Sequence, residues 1–266
     1  MIKKLFDEVI IAKCSQGQKR YGVQEGGDYI CRYLDIIPSI TLEHKLFYNI
    51  NGEGENGYKI LSSIIGSFHE ENGIIKKTLL IGGDHSLGIS SVDYFANKYK
   101  ERLSVLWIDA HADINDHITS LSGNIHGMPL GYHHISRTDK PCWRKSQYRL
   151  KSNQLYYFGI RDLDPTEKEL IDNEKIGYSL EIDDNLKKFI ENSEILLISF
   201  DVDALDPTYL DSTGCYAPNG LNPNDVKYII QYAYDLGKMC HLDLMEFNPY
   251  IGNWLKSIEC LKTIFC

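Results

Sequence analysis

Short runs of apolar residues recur along the chain, and longer stretches with helical spacing lie between them. The runs are rich in Val, Ile and Leu, which is the composition of strands buried on both faces of a sheet. The predicted strands are Val9–Ala12, Thr78–Ile81, Val105–Ile108, Leu155–Gly159, Ile195–Phe200 and His241–Met245. The predicted helices include Lys59–Glu70, Leu87–Tyr99, Asn224–Leu236 and Trp254–Ile264. This alternation predicts a three-layer α/β/α fold, in which helices cover both faces of a mostly parallel sheet.

The chain has 266 residues, of which 43% are hydrophobic and 24% are charged, so it is long enough to bury a large core. That length suits one large α/β domain or two small ones. No internal repeat is visible, and the stretch Asn49–Gly57 has the composition of a surface loop rather than of a domain linker. We therefore expect a single domain over residues 1–266.

The net charge of −9 argues against a nucleic-acid partner, because phosphate binding needs clustered Lys and Arg. It suits a cationic or neutral small ligand better. The seven cysteines are scattered and form no C-x-x-C pair, which favours a reduced, cytoplasmic compartment. Asp7 and Glu8 interrupt the N-terminal segment, so no secretory signal is expected there. No apolar stretch has the length of a membrane span, and we expect no membrane partner.

Ionisable side chains follow five of the predicted strands. They are, in chain order, Asp84 and His85; Asp109, His111 and Asp113; Asp162 and Asp164; Asp201 and Asp203; and Glu246. In open α/β sheets, ligand sites form beyond the carboxyl ends of the strands. We therefore expect these groups, although far apart in sequence, to meet at one edge of the sheet.

Two imidazoles and four carboxylates from these strand ends form the candidate ligand set. They are His85, Asp109, His111, Asp113, Asp201 and Asp203. So many carboxylates repel one another unless cations lie between them, and four of them balance the charge of two divalent ions. A carboxylate-rich site with some imidazole favours manganese or a similar hard ion over a thiolate zinc site. Two ions about 3.5–4 Å apart can share a bridging water and hold it as hydroxide at neutral pH.

Parts of this pattern have a simpler interpretation when they are taken alone. An isolated D-x-D is most often a solvated turn or a cap, and an isolated histidine is most often a hydrogen-bonded structural residue. The structural interpretation is our default for His44, His69, His117, His133, His134 and His241. The block D-A-H-A-D after a buried strand, joined by G-G-D-H and D-V-D at the same edge, is much harder to explain as coincidence.

Four sequence blocks carry a resemblance to a known family. They are GGDHS (82–86), DAHADIN (109–115), SFDVDALDP (199–207) and MEFNP (245–249), and they occur in the family's order. Together with GQKRYGVQEG (17–26), they resemble the ureohydrolases of the arginase, agmatinase and formiminoglutamase superfamily, and arginases most closely. The resemblance implies an arginase-like fold and a hydrolase with two manganese ions in each subunit.

The resemblance also implies which ligands bind each ion. One manganese would be held by His85, Asp109, Asp113 and Asp201, and the other by His111, Asp109, Asp201 and Asp203. Asp109 and Asp201 would bridge the two ions. The expected reaction is attack of a metal-bridging hydroxide on the guanidinium carbon of L-arginine, which releases L-ornithine and urea.

Three residues have expected catalytic roles. Asp113 would accept a hydrogen bond from the hydroxide and orient it toward the substrate. Glu246 would bind the guanidinium through a charge-assisted pair, and His126 would pass a proton to the departing amine. The alternatives are that Glu246 is a buried acid paired with a lysine and that His126 is structural.

The segment 115–129 distinguishes among ureohydrolases. It is similar to the arginase loop that ends in G-N-x-H-G, and by that similarity Asn115, Ser120 and Ser122 would contact the α-carboxylate of the substrate. Asp164 and Glu167 match the positions that contact its α-amino group. A relative that cleaves agmatine needs no carboxylate recognition and usually carries a different loop here. The alternative is that residues 115–129 form only a polar surface loop.

One departure from the family lies in the segment 212–221. Arginases usually have a threonine where this chain has Cys215, and the hydroxyl of that threonine is expected to support the Glu246 carboxylate. Cys215 is therefore expected among the substrate-binding residues, although a thiol is a weaker donor than a hydroxyl. Tyr216 and Asn219 are further departures. A homo-oligomer is expected, the trimer being the family's common form, although the C-terminal tail that joins subunits in some arginases is not evident.

Two other functions stay open at this point. One is hydrolysis of another guanidino compound, agmatine or a guanidino acid, against which the 115–129 loop and Asp164 argue. The other is a non-catalytic homologue that acts as a binding or regulatory subunit. A degenerate homologue is expected to have lost ligands, whereas all six are present here.

Overall fold

A computed structural model describes the chain over residues 5–47, 55–137 and 148–266. Its strands are β1 (Glu8–Ala12), β2 (Ile40–Leu42), β3 (Glu70–Glu71), β4 (Ile74–Ile75), β5 (Thr78–Gly82), β6 (Leu103–Ile108), β7 (Leu155–Phe158), β8 (Gly177–Ser179), β9 (Ile195–Asp201) and β10 (Met239–Met245). Its α-helices are α1 (Gly26–Tyr33), α2 (Glu55–His69), α3 (Gly88–Tyr99), α4 (Pro165–Glu174), α5 (Asp184–Asn192), α6 (Pro223–Asp235) and α7 (Trp254–Phe265).

Eight of these strands form one parallel sheet in the order β2-β1-β5-β10-β9-β6-β7-β8. The short strands β3 and β4 pair with each other as an antiparallel hairpin. The chain builds β1, β2 and β5 on one side, crosses to β6, β7 and β8 on the other, and then returns to place β9 and β10 between them. The carboxyl ends of β5, β10, β9 and β6 are therefore neighbours at the centre of the sheet.

Side chains on both faces of the sheet are buried. Along β6, Leu106 and Ile108 belong to one hydrophobic cluster, whereas Val105 and Trp107 belong to a second. Residues of α1, α5, α6 and α7 complete the first cluster, and residues of α2, α3 and α4 complete the second. Successive residues of a strand point to opposite faces, so this division places helices on both sides of the sheet. The predicted α/β/α fold is confirmed.

The register of the central strands brings the acidic residues together. Ile108, at the end of β6, pairs with Phe200 of β9. The residues that follow this pair, Asp109 and Asp201, therefore lie side by side at the carboxyl edge of the sheet. The last residue of β10 lies opposite Asp201, so Glu246 follows at the same edge.

The predicted strands all occur, with ends that shift by one or two residues. Strand β7 ends before Gly159, which has a positive φ of 104° that extended strands do not adopt. Helices α1, α4 and α5 and strands β2, β3, β4 and β8 were not predicted. None of the helices in the described ranges is both long and apolar enough to cross a bilayer.

The prediction of a loop over Asn49–Gly57 is wrong at its C-terminal end, because α2 already begins at Glu55; residues 48–54 lie outside the described ranges. Buried side chains at helical spacing, Tyr58, Leu61 and Ile65, pack α2 against the sheet and its surroundings. Gly57 allows the first turn to approach the preceding segment, since a β-carbon there would lie 2.7 Å from the Leu46 carbonyl oxygen. Tertiary packing thus outweighs the loop-like composition.

Candidate active site

The six candidate metal ligands lie at the ends of three central strands, β5, β9 and β6. His85 begins a short 3-10 turn after β5, which the Asp84 side chain caps by accepting a hydrogen bond from the Ser86 N–H at 3.0 Å. Asp109, His111 and Asp113 follow β6, whereas Asp201 ends β9 and Asp203 lies in the turn after it. His111 is partly exposed, and the other five side chains are buried. We call these six residues the donor floor.

One imidazole nitrogen faces three carboxylates. His85 Nδ1 lies 3.0 Å from Asp109 Oδ2, 3.2 Å from Asp113 Oδ2 and 3.0 Å from Asp201 Oδ2. A ring nitrogen carries at most one proton and can satisfy only one of these oxygens well, whereas a cation at their centre would satisfy all of them. This donor set therefore fits a metal ion.

A second group of donors adjoins the first. His111 Nδ1 lies 3.1 Å from Asp203 Oδ2 and 3.4 Å from Asp109 Oδ1. Asp109 takes part in both groups through different oxygens. The ligand atoms of His85, Asp109 and Asp201 all lie within 4.8 Å of one another, as do those of Asp109, His111 and Asp203. The donors thus suit two neighbouring ions that share a carboxylate.

The electrostatics of the donor floor also call for cations. Burial and the charges of Asp203 and Asp109 raise the pKa of Asp201 well above its usual range. Burial raises the pKa of Asp203 to about 6, although the neighbouring His111 opposes the shift. Carboxylates crowded in a buried site ionise fully only when positive charge lies between them.

A cavity of about 180 Å³ borders the donor floor. It is lined by all nine of the residues predicted for catalysis or substrate binding: Asp113, Asn115, Ser120, Ser122, His126, Asp164, Glu167, Cys215 and Glu246. Asp162, which was given no role, also lines it. The predicted residues therefore meet around one cavity beside both metal-donor groups.

Comparison with known proteins identifies the family. The arginase family model matches residues 8–258. The chain is 34% identical over 248 residues to the arginase of Neurospora crassa, covering 85% of this chain and 67% of that protein. It is 33% identical over 279 residues to the hepatic arginase of Aquarana catesbeiana, covering 92% of this chain and 85% of that protein. The chain belongs to the arginase family.

The fold agrees with this assignment. The crystal structure of Entamoeba histolytica arginase in complex with L-ornithine superposes with a TM-score of 0.80 at 25% identity, covering 98% of each chain. The arginase family and the hydrolase class predicted from the sequence are confirmed. The role of each residue in this arginase-family protein stays a prediction, for which the contacts below provide a physical basis.

The donor floor rests on a buried hydrogen-bond network. The Nε2 atom of His85 lies 2.9 Å from Ser199 Oγ, and that hydroxyl donates to Asp243 Oδ2 at 3.1 Å. If Nε2 carries the proton, the lone pair of Nδ1 is directed at the carboxylates and is available to a metal. The indole of Trp107 stacks on His85 with ring centroids 4.2 Å apart, which also fixes the ring.

Asp243 has further buried partners. Its Oδ1 accepts from the Ser91 hydroxyl at 2.7 Å and lies 2.8 Å from His241 Nε2, whose Nδ1 lies 2.6 Å from Thr78 Oγ1. Ser199 and Asp243 had no assigned role, yet a signal existed. Each is a polar residue within an apolar strand, and buried polar groups need partners.

The Glu246 carboxylate is held at both oxygens. Oε1 accepts from the backbone N–H of His85 at 2.9 Å and lies 3.0 Å from His126 Nδ1, and Oε2 accepts from the side-chain amide of Gln18. Burial would raise the pKa of Glu246, but the hydrogen bond and charge of His126 hold it below the usual value. Glu246 also has a positive φ of 68°, an uncommon backbone conformation for a non-glycine residue. Its carboxylate is thus ionised and fixed.

His126 is the positively charged partner of the Glu246 carboxylate. Burial would lower its pKa, but the hydrogen bond to Glu246 and the charge of that carboxylate raise the pKa to about 9. The imidazole therefore carries a proton at neutral pH. This proton lies at the wall of the cavity, beside the donor floor.

Four polar residues, Asn115, Ser120, Ser122 and Asp164, form what we call the substrate rim. Asn115 Nδ2 donates to Asp164 Oδ2 at 2.9 Å. Ser120 Oγ accepts from the Gly123 N–H at 3.1 Å, and Ser122 Oγ accepts from the Asn124 N–H at 3.2 Å. In these bonds both hydroxyls act as acceptors, which leaves their own protons for donation to an anionic group.

Glu167 is buried, as is Asn115 of the rim. Its two oxygens accept the backbone N–H groups of Ile114 and Asp164, each at 3.1 Å, at the N-terminus of α4. Burial and the charge of Asp113 raise its pKa to about 7. These two hydrogen bonds hold the backbone at Ile114 against the start of α4, and they thereby position the neighbouring rim residues Asn115 and Asp164.

The segment with Cys215 approaches Glu246 without supporting it. Within the described ranges, the donors to the Glu246 carboxylate come from Gln18, His85 and His126, and the Cys215 thiol is not among them. Gln18 was not predicted to take part. The block GQKRYGVQEG (17–26) contains it, but the resemblance gave that block no role, and the partner of Gln18 lies 228 residues away in sequence.

Proposed function

We propose that this arginase-family protein hydrolyses L-arginine to L-ornithine and urea with manganese as its metal. The observation that carries the proposal is the place of Glu246. Its ionised carboxylate lines the same cavity as the donor floor, and it accepts a hydrogen bond from the backbone of the donor His85 at 2.9 Å. A guanidinium bound to Glu246 would lie next to both donor groups.

The proposed ligands are His85, Asp109, Asp113 and Asp201 for one manganese and His111, Asp109, Asp201 and Asp203 for the other. Carboxylate oxygens and imidazole are donors that manganese accepts, and no thiolate belongs to either group. Bound in pairs, such ions lower the pKa of a shared water and thereby supply the nucleophile.

The protein's own residues would bind and orient the reacting groups. Glu246 offers a fixed negative charge to the planar guanidinium, which forms charge-assisted hydrogen bonds with carboxylates. Asp113 lies at the boundary between the donor floor and the cavity, where it can orient the attacking oxygen. His126, protonated at neutral pH, can give its proton to the departing amine nitrogen.

The substrate rim supports an amino-acid substrate. The Ser120 and Ser122 hydroxyls and the second amide hydrogen of Asn115 can donate to an α-carboxylate. The Asp164 carboxylate can accept from an α-ammonium group. Agmatine carries no carboxylate, so these donors would have no partner in a complex with it.

The test is urea release from L-arginine and from agmatine, in manganese buffer and after removal of metal with a chelator. We expect turnover of L-arginine that chelation abolishes and that added manganese restores. A preference for agmatine would contradict the proposed substrate. Full activity after exhaustive chelation would contradict the metal mechanism, and bound manganese without turnover of either compound would indicate a non-catalytic homologue.

Three broader proposals accompany this function. Residues 1–266 form one domain, which is supported by the single eight-stranded sheet that joins both ends of the described chain. The protein acts in the reduced cytoplasm. In support of this, the six cysteines in the described ranges are all unpaired.

The protein forms a homo-oligomer, a trimer as in the common family form. Sedimentation analysis tests the trimer.

A further inference from the structure

The segment before α1 is fixed against Asp84, which precedes the donor His85, and against the loop that carries His126. The Gly17 N–H donates to Asp84 Oδ2 at 2.8 Å, and the Gly17 carbonyl accepts from the His126 N–H at 3.1 Å. A β-carbon at Gly17 would lie 2.4 Å from Asp84 Oδ1 and 2.9 Å from His126 N, so the approach requires glycine. These contacts place the next residue, Gln18, at a defined position.

The side chain of Gln18 lies between Glu246 and the segment with Cys215. It is buried, and its Nε2 donates to Glu246 Oε2. Its Oε1 lies beside Gly214, where a β-carbon would be only 2.9 Å away. Gln18 is thus in contact both with Glu246 and with the segment that carries Cys215.

The two oxygens of Glu246 are supported unequally. Oε1 has two partners, the backbone of His85 and the ring of His126, whereas Oε2 has the Gln18 amide as its partner among the described residues. The terminal torsion of a glutamate side chain is broad, so a carboxylate fixed at one oxygen can still turn. A guanidinium binds best when both carboxylate oxygens lie in its plane.

We propose that Gln18 is a positioning residue that sets the plane of the Glu246 carboxylate and thereby the affinity for the guanidinium group. This inference rests on the proposed function. It gives Gln18 the supporting role that the resemblance to arginases assigned to a threonine at position 215. Gln18 acts through Glu246, because it does not itself line the cavity.

The test compares Gln18→Leu with the unaltered enzyme. Leucine keeps the approximate volume but removes the donor. Because a hydrogen bond to a charged group is lost, we expect the KM for L-arginine to rise about 10- to 100-fold. The inhibition constant of L-ornithine, which has no guanidinium, is expected to change less than about twofold, and manganese content is expected to stay the same.

Two further variants complete the design. Gln24→Leu is a matched control: Gln24 is a buried glutamine of the same segment, but its Oε1 accepts from the Gly22 N–H at 3.0 Å. It is expected to leave the ratio of arginine KM to ornithine inhibition constant unaltered. Cys215→Thr, introduced into Gln18→Leu, supplies a hydroxyl donor and is expected to recover part of the arginine affinity.

The outcomes separate this inference from the function on which it rests. No urea from the unaltered enzyme would contradict the proposed function, and this inference would fall with it. An active enzyme whose Gln18→Leu variant keeps its KM, or loses arginine and ornithine affinity equally, would overturn the inference alone. If Gln18→Leu does not fold, Gln18→Glu keeps the size and hydrogen-bonding shape but places a second carboxylate beside Glu246. An unchanged arginine KM in that variant would likewise overturn the inference.

Discussion

The donor floor lies at the ends of buried strands, whereas the serines of the substrate rim lie on a surface loop. His85 is tied through Ser199 to Asp243, a contact that spans two further strands of the sheet. Ser122 is exposed, and its hydroxyl bonds to the backbone of its own loop two residues on. The floor is therefore positioned by the whole fold, whereas the two serines of the rim are positioned by local contacts. We expect changes in the floor to affect metal binding and turnover, and changes in the rim to affect mainly substrate affinity.

The severest test of this contrast is Asp109→Asn. Asp109 belongs to both donor groups, so the variant removes a charge that two ions would share. Since bound metal contributes several kcal/mol to such reactions, urea release is expected to fall about a thousandfold or more. Metal content after dialysis is expected to fall with it. Asp183→Asn, which alters a cap of α5 that accepts from the Leu186 N–H at 2.8 Å, serves as the control. If Asp109→Asn retained its metal and its activity, the proposed role of the donor floor in binding metal would be refuted.

The next test lies where floor and rim meet. His126→Ala removes the imidazole that pairs with Glu246 at 3.0 Å but no proposed metal ligand. Loss of a general acid is expected to lower kcat roughly 100- to 10,000-fold while manganese content stays the same. His117→Ala is the matched control, because His117 is on the same loop and pairs with Tyr132 at 2.7 Å instead. Unchanged turnover would remove the proton-donor role, and loss of metal would assign His126 to the floor.

A smaller effect is expected from the support beneath the floor. Ser199→Ala breaks the link between His85 and Asp243, and loss of such a partner typically lowers metal affinity about 10- to 100-fold. A manganese titration of the chelated enzyme measures the change, and kcat at saturating manganese is expected to recover. Ser90→Ala is the control, because Ser90 is a buried serine whose hydroxyl has no partner among the described residues. Equal manganese affinity in both variants would show that the floor does not depend on this network.

The contrast between floor and rim also explains what the sequence could predict. Asp109 and Asp201 follow apolar runs whose strand character is strong, and parallel packing then brings the strand ends together. The support of Glu246 by Gln18 could not be found in the same way. This support depends on how the segment before α1 packs against the end of β10. The two parts are far apart in the chain, and the periodic pattern of apolar residues within either part does not predict the contact.

Some of the missed structure did carry a signal. The segment Asp164–Glu167 has an aspartate at the cap, proline at the first helical position and glutamate two residues later, the pattern of a helix start. The resemblance assigned Asp164 and Glu167 to substrate binding, and α4 was not predicted. Helix α5 is short and strongly polar on average, and its burial rests on few residues, among them Leu186 and Ile190. These apolar residues recur at helical spacing, and Asp183 caps the first turn by accepting a hydrogen bond from the Leu186 N–H, so α5 also carried a signal that the prediction missed.

The mildest test concerns the rim alone. Ser122→Ala removes one hydroxyl donor from an exposed loop, and the KM for L-arginine is expected to rise about 2- to 10-fold because the lost hydrogen bond is partly replaced by water. Agmatine, tested as substrate or as competitive inhibitor, is the internal control, since it has no carboxylate for Ser122 to bind. Its affinity is expected to stay the same, as are kcat for L-arginine and the manganese content. If the affinities for both compounds fell equally, the loop would be shaping the cavity as a whole. A change in manganese affinity would show that a substitution in the rim alters metal binding by the floor, and the distinction between the two regions would no longer hold.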